Sequence, residues 1–231
     1  MFSKTRSGFT AADCEFIAWT LGASPSDREE IVALCADPVT VTPFLHDDRL
    51  FERSMTPPPL FLSISPGLFF YIFVHRALDR RRIAGDDVVD YVAGVCAEFR
   101  SAAPLLQMAS HEGAFFYMTD MLNLMDDLDG PRRHILRKYI GDATLFLTGF
   151  FPGFFLRRTE RRGAPAIGFY QELARGQYSD AALDPDAQDE QTADVLITLA
   201  ERFADVRTAL NDLSSGYRLI GRRPDPPAGR P

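Results

Sequence analysis

The chain has 231 residues, of which 46 % are apolar and 25 % charged, with a net charge of −7. That length and apolar fraction suffice for a buried core and exclude a wholly disordered chain. The acidic balance argues against general nucleic-acid binding, because non-specific affinity grows with the number of phosphates neutralised.

Helical periodicity dominates and strict alternation is nearly absent, which predicts an all-α fold, a bundle of about eight to nine helices. Thr10 caps a first helix that Gly22 stops, and Ser26-Asp27-Arg28-Glu29 has the spacing of a capping box for a second. Thr42-Pro43 opens a third, with proline at the first helical position, where no donor is needed. Residues 1–56 form an amino-terminal helical unit. Pro57-Pro58-Pro59 cannot continue a helix, so 57–64 is read as a linker to a main bundle over 65–221.

Ser65-Pro66 repeats the cap-plus-proline device and starts a helix whose first turns are apolar on every side. Asp86 opens the next. Met118, Met121, Leu122 and Met125 then recur at helical spacing, a soft stripe that suits core packing. After Asp129-Gly130-Pro131 a helix runs from Ile135 to about Phe151, where Pro152 and Gly153 turn the chain. Leu196, Leu199, Phe203, Val206, Leu210, Leu213, Tyr217 and Ile220 alternate at spacings of three and four, the mark of a helix–helix seam within one chain or between two, so the protein is a monomer or a homodimer. Residues 222–231, with four prolines and no core-forming residue, read as a disordered tail.

Three cysteines, Cys14, Cys35 and Cys96, are odd in number and far apart among apolar positions, which suits buried small hydrophobes in a reducing compartment. The first six residues lack the apolar stretch of a signal peptide, so a cytoplasmic location is expected. The Phe-rich runs 68–74 and 143–156 fall short of the roughly 20 apolar residues a spanning helix needs.

Chemistry concentrates between Arg132 and Arg162. Eight Lys/Arg stand there against two acids, leaving +6 inside the window and −13 elsewhere. A basic zone on an acidic protein focuses anions or acidic surfaces. Arg132, Arg133 and Arg137 precede an aromatic run, and Phe150 and Phe154 flank its corner. Arg157, Arg158, Arg161 and Arg162 follow it at one-turn spacing. This arrangement suits an amphipathic anionic small molecule or an acidic protein partner. A second candidate is a polar pocket of His75 with Tyr71 and Asp79 one turn to either side. No phosphate-cradling glycine loop, nucleophile elbow or paired-cysteine metal motif is present, and no cofactor or metal is read from the sequence.

Asp126-Asp127-Leu128-Asp129 and Asn211-Asp212-Leu213-Ser214-Ser215 resemble, at these two spots only, the magnesium-binding motifs of class I isoprenoid synthases. The resemblance implies Mg²⁺ gripping a diphosphate. It departs at Leu219, where that family has Glu, and the carboxylates point away from the apolar face of each helix. The Ser65-Pro66 helix, the stretch from Leu145 to Phe155 ending in paired arginines, Phe169 to Leu173, and Leu210 to Ser214 together resemble a set of uncharacterised all-helical bacterial proteins, a resemblance that carries no activity. The expectation is a non-catalytic binding or regulatory protein. The alternatives are a helical enzyme with a hydrophobic, Mg²⁺-dependent pocket for a diphosphate or acyl substrate, and a protein docked on a membrane surface.

Overall fold

The structure, a computed structural model, describes residues 5–56, 64–83, 85–101, 113–162, 165–184 and 190–220. It is all-α, with no strand among those residues. A 3-10 turn, Thr5–Gly8, precedes α1 (Ala11–Leu21), α2 (Pro25–Leu34), α3 (Pro38–Leu45) and α4 (Asp48–Met55). Then come α5 (Pro66–Asp79), α6 (Asp86–Ser101), α7 (Gly113–Met125), α8 (Gly130–Phe150), α9 (Pro152–Arg162), α10 (Ile167–Ala182) and α11 (Glu190–Ile220). No helix among the described residues is long and apolar enough to cross a membrane. The expected linker, except Ile64, and the expected tail lie outside the described residues.

The starts of these helices follow side-chain chemistry. Thr10 and Asp13 close a capping box on α1, and Ser65 accepts from the Leu68 amide at the start of α5. Two expected starts are corrected. Helix α2 is capped by Ser24 with Asp27 at its third position and Pro25 at its first, so the box lies two residues before Ser26. Helix α3 begins at Pro38 under an Asp37 cap, and Thr42-Pro43 lies inside it. The Thr42 hydroxyl there donates to the Pro38 carbonyl at 2.8 Å. Pro43 carries no N–H, so the carbonyl left without a helical amide partner is the next one, that of Val39.

Helix α8 is the axis of the bundle, and every residue from Ile140 to Gly149 is buried. Helix α10 runs antiparallel to it: Gly141 faces Tyr178, Arg137 reaches Asp180 and Asp184, and Phe155, just past the end of α8, packs on Tyr170. Helix α11 covers a third side, with Gly149 against Leu210. The seam residues Leu196, Leu199, Phe203, Val206 and Leu210 are all buried within the chain. Helix α11 kinks at Arg202, whose φ of −105° and ψ of 18° leave the helical region. The Ala200 carbonyl beside the kink accepts from Arg175 Nε at 2.9 Å, so α10 supplies the partner for an acceptor at the break.

Helices α1 to α4 share one core with α5, α6 and α11, in which Phe16, Ile17, Leu45 and Leu50 join Leu68, Ile72 and Phe203. Polar anchors add direction. Asp13, fully buried, accepts from the Ser65 amide at 2.7 Å, and the Arg6 amide donates to Asp90 Oδ1 at 2.8 Å while its guanidinium reaches Asp87 and Thr42. The thiols of Cys14 and Cys35 meet between α1 and the end of α2, and burial pushes both up, Cys35 to about 12. The methionine stripe of α7 packs with α8 in a second core, where Met118 and Met121 meet Ile140 and Phe146.

Helix α5 ends in a Schellman closure: the Ile83 amide donates to the Leu78 carbonyl and the Arg82 amide to that of Asp79. Arg82 sits at φ 53°, a left-handed conformation that crowds any Cβ. Arg82→Gly is expected to raise the unfolding free energy by about 0.5–1 kcal/mol. Chemical denaturation checks this, and an unchanged or lower midpoint would contradict it.

Candidate functional site

An apolar cavity of about 410 Å³ opens where α5, α6, α8 and α11 converge. The first turn of α5 contributes Phe69 and Phe70, the end of α8 contributes Phe150 and the corner residue Phe151, and α11 contributes Leu213 and Ser214. Edge-to-face contacts hold the wall: Phe70 meets Phe150 at 6.2 Å and Phe69 at 5.4 Å, and Phe150 stacks on the buried Phe146 at 4.9 Å. The corner exists because Phe151 leaves helical geometry before Pro152, which turns two successive rings toward the same space.

Polar groups in the wall are few. Ser65 accepts from the Leu68 amide and Ser214 donates to the Asn211 carbonyl. Arg100, in the last turn of α6, carries the only formal charge among the described lining residues, and no carboxylate among the described residues pairs with it. The cavity thus offers aromatic walls and one available guanidinium, a combination that accepts an apolar body carrying one anionic group.

A second arrangement lies inside the bundle. Asp142 is fully buried in α8 and receives Tyr178 Oη at 2.8 Å and Tyr91 Oη at 2.9 Å, both on Oδ1. Gly141 makes this geometry fit, because a Cβ there would stand 2.6 Å from Tyr178 Cε1. Burial pushes the Asp142 carboxyl up to about 7 against the lowering effect of the two hydroxyl donors. Asp142 lines neither this cavity nor the one described further below, so the triad ties α6, α8 and α10 together in the interior.

The structure does not bring the sequence candidates into one place. Arg132, Arg133 and Arg137 sit in the first turns of α8, 13 to 18 residues before Phe150, which is roughly 20–27 Å along the helix. Arg132 lies 4.0 Å from Asp129, Arg133 donates to the Leu128 carbonyl, and Arg137 is held by Asp184 at 3.1 Å. Phe154 packs edge-on against Phe155, and Arg157 is exposed on α9. Arg158, Arg161 and Arg162 share that helix, and their side chains lie outside the described residues.

His75, Tyr71 and Asp79 have separate surroundings. His75 stacks on His46 with ring centroids 3.9 Å apart, and His46 Nε2 lies 3.0 Å from Asp86. Burial, and then His46, lower the His75 pKa. Tyr71 is fully buried, with its ring against Phe9 and its hydroxyl without a partner among the described residues, while Asp79 is exposed. The acidic motifs are also apart: Asp126 and Asp127 precede α8 on one side, whereas Asp212 bonds Arg81 near the other end of that helix. No group of three or more metal-ligating side chains occurs among the described residues.

Two features escaped the sequence. Arg100 lies outside the basic window, and only the fold brings it beside Phe150. Asp142 did leave a signal, as a lone carboxylate between Ile140 and Ala143 in an otherwise uncharged helical stretch. The chain matches no family model, no curated protein and no solved structure.

Proposed function

We propose that the protein is a non-catalytic binding protein for an amphipathic anion, a carboxylate on an apolar body, taken into the phenylalanine cavity with Arg100 as its counter-charge. The observation that carries this reading is the cavity itself, with four phenylalanines and a single guanidinium that no carboxylate among the described residues neutralises. Its volume falls in the range of small-molecule sites, and each methylene removed from water contributes about 0.8 kcal/mol. The aromatic corner of the basic segment supplies Phe150 and Phe151, and the charge comes from α6. The strongly perturbed carboxylate, Asp142, is sealed away from the cavity, which supports binding rather than turnover.

Decanoate and decanol separate the contributions. Calorimetric titration is expected to show decanoate binding that weakens about 10- to 100-fold in Arg100→Gln, because a charge-assisted hydrogen bond is lost. Decanol affinity should be the same in both proteins. Equal decanoate affinity in the two proteins, or no decanoate binding to the unaltered chain, would overturn the reading.

A further inference from the structure

Leu213 also lines a second cavity, of about 590 Å³, between α4, α5 and α11. Its walls are apolar, with Phe51 and Met55 from α4, Phe73 and Ala77 from α5, and Ala209 from α11. Its charges are of a different order from those of the first cavity, because Arg76, Arg80 and Arg81 line it together with one carboxylate, Asp212. Arg76 and Arg80 stand one turn apart on α5, and Arg81 follows directly where that helix closes. The Arg76 guanidinium lies over the Phe51 ring, 4.7 Å from its centroid, and Phe51 meets Phe73 at 5.1 Å, so the cation is held against the aromatic wall.

From this arrangement we infer a second binding site, for a phosphate monoester or diphosphate carried on a small apolar body. Three planar guanidinium forks converge on one cavity, and a phosphate monoester dianion presents three oxygens to such forks where a carboxylate presents two. The protein's own carboxylates leave room for that ligand. Arg76 pairs with Asp48 and Arg81 with Asp212 at 2.5 Å, and the side chains of those acids are 70 % and 66 % exposed. Pairs so open to water contribute little, and both acids can turn outward when a dianion arrives. Arg80 pairs with no carboxylate among the described residues, so these five side chains sum to +1 before any ligand binds.

The negative pole of α5 does not oppose the site strongly, because the Leu78 and Asp79 carbonyls are occupied by the Ile83 and Arg82 amides. The apolar body would lie along Phe51, Phe73 and Met55. No arginine lines both cavities, so this site stands or falls independently of the phenylalanine cavity.

The test is calorimetric titration of the full chain, in phosphate-free buffer, with hexyl phosphate, inorganic phosphate and hexanol. Hexyl phosphate is expected to bind more tightly than either fragment, with an affinity that falls as salt rises. Arg80→Gln is expected to weaken it about tenfold or more, and Arg80→Gln combined with Arg81→Gln to remove it. Arg80 is exposed and holds no ion pair among the described residues, so its replacement leaves the fold intact, as unchanged circular dichroism will show. Arg100→Gln should leave hexyl phosphate binding unaltered, which separates this site from the first cavity. The inference is overturned if hexyl phosphate gives no heat, if Arg80→Gln binds it like the unaltered protein, or if Arg100→Gln weakens it as much. Equal affinity for inorganic and hexyl phosphate would also overturn it, as an adventitious ion only.

Discussion

Replacing Asp142 with Asn is expected to stabilise the protein at pH 8 and to leave it less stable relative to the unaltered chain as the pH is lowered toward 4. The folded carboxyl titrates near 7 because burial penalises its charged form, whereas in the unfolded chain it titrates near the ordinary aspartate value of about 3.9. The folded state therefore binds the extra proton between those values. Stability from this group is fully present below about pH 4, is lost as the pH rises, and reaches its floor above about pH 7. A shift of about three units corresponds to about 4 kcal/mol, at 1.36 kcal/mol per unit.

Asparagine is isosteric, keeps an oxygen for the Tyr91 and Tyr178 hydroxyls, and has no charge to bury. The difference in unfolding free energy between variant and unaltered chain should thus move in the variant's favour from pH 4 to 7 and then level off. Denaturation at five or six pH values measures it directly. A difference that stays flat across the range would show that Asp142 does not titrate there. Tyr178→Phe offers an internal control: losing one donor to the carboxylate should carry the pH dependence on to higher pH, because the charged form keeps only Tyr91.

Gly141→Val is expected to cost about 3 kcal/mol, or a melting temperature lower by about 6–12 °C for a chain of this size. A Cβ at this position would lie within 2.9 Å of three atoms of the Tyr178 ring. That ring has no room to retreat, since Tyr178 is fully buried and its hydroxyl is tied to Asp142. The surroundings must therefore give, and in a close-packed interior that means moving α10 away from α8. Thermal unfolding of Gly141→Val, alone and together with Tyr178→Leu, separates the causes. The penalty should shrink when the ring is removed, and a penalty of the same size in both backgrounds would mean that the ring is not the obstacle.

The fold class was legible because helical signals are local. Thr10, Ser65 and Asp86 mark real starts, Phe151-Pro152-Gly153 marks a real corner, and the three-four spacing from Leu196 to Leu210 marks a real buried face. The division between α3 and α4 was not legible. His46 ends α3 and Asp47 caps α4, with only these two residues between the helices, so a third helix opened at Thr42-Pro43 passes over the break. The start of α2 was misplaced for a related reason, because Ser24 and Ser26 both precede an acid three residues on and only the backbone decides between them.

The sites were less legible than the fold. Basic residues crowded in sequence at Arg132 to Arg162 are spread along α8 and α9, and Arg137 is bound by acids from α10. The arginines that line the two apolar cavities, Arg76, Arg80, Arg81 and Arg100, end helices α5 and α6, and apolar neighbours reach them from α4, α8 and α11. Such a neighbourhood is built from long-range packing, which periodicity within one helix does not encode. The Arg76, Arg80, Arg81 spacing alone was a readable hint of a basic face.

The anchoring of the 3-10 turn also sets an order for biosynthesis. Thr5 donates to the Asp90 carbonyl across 85 positions, and the Arg6 amide reaches the same residue across 84. At translation rates of 5–20 residues per second, Thr5 waits roughly 4–17 s before Asp90 has been polymerised. For most of that interval the apolar faces of α1 to α4 lack α5, and for all of it they lack a complete α6. The first quarter of the chain is therefore the stretch most in need of a holding chaperone while the ribosome is still at work.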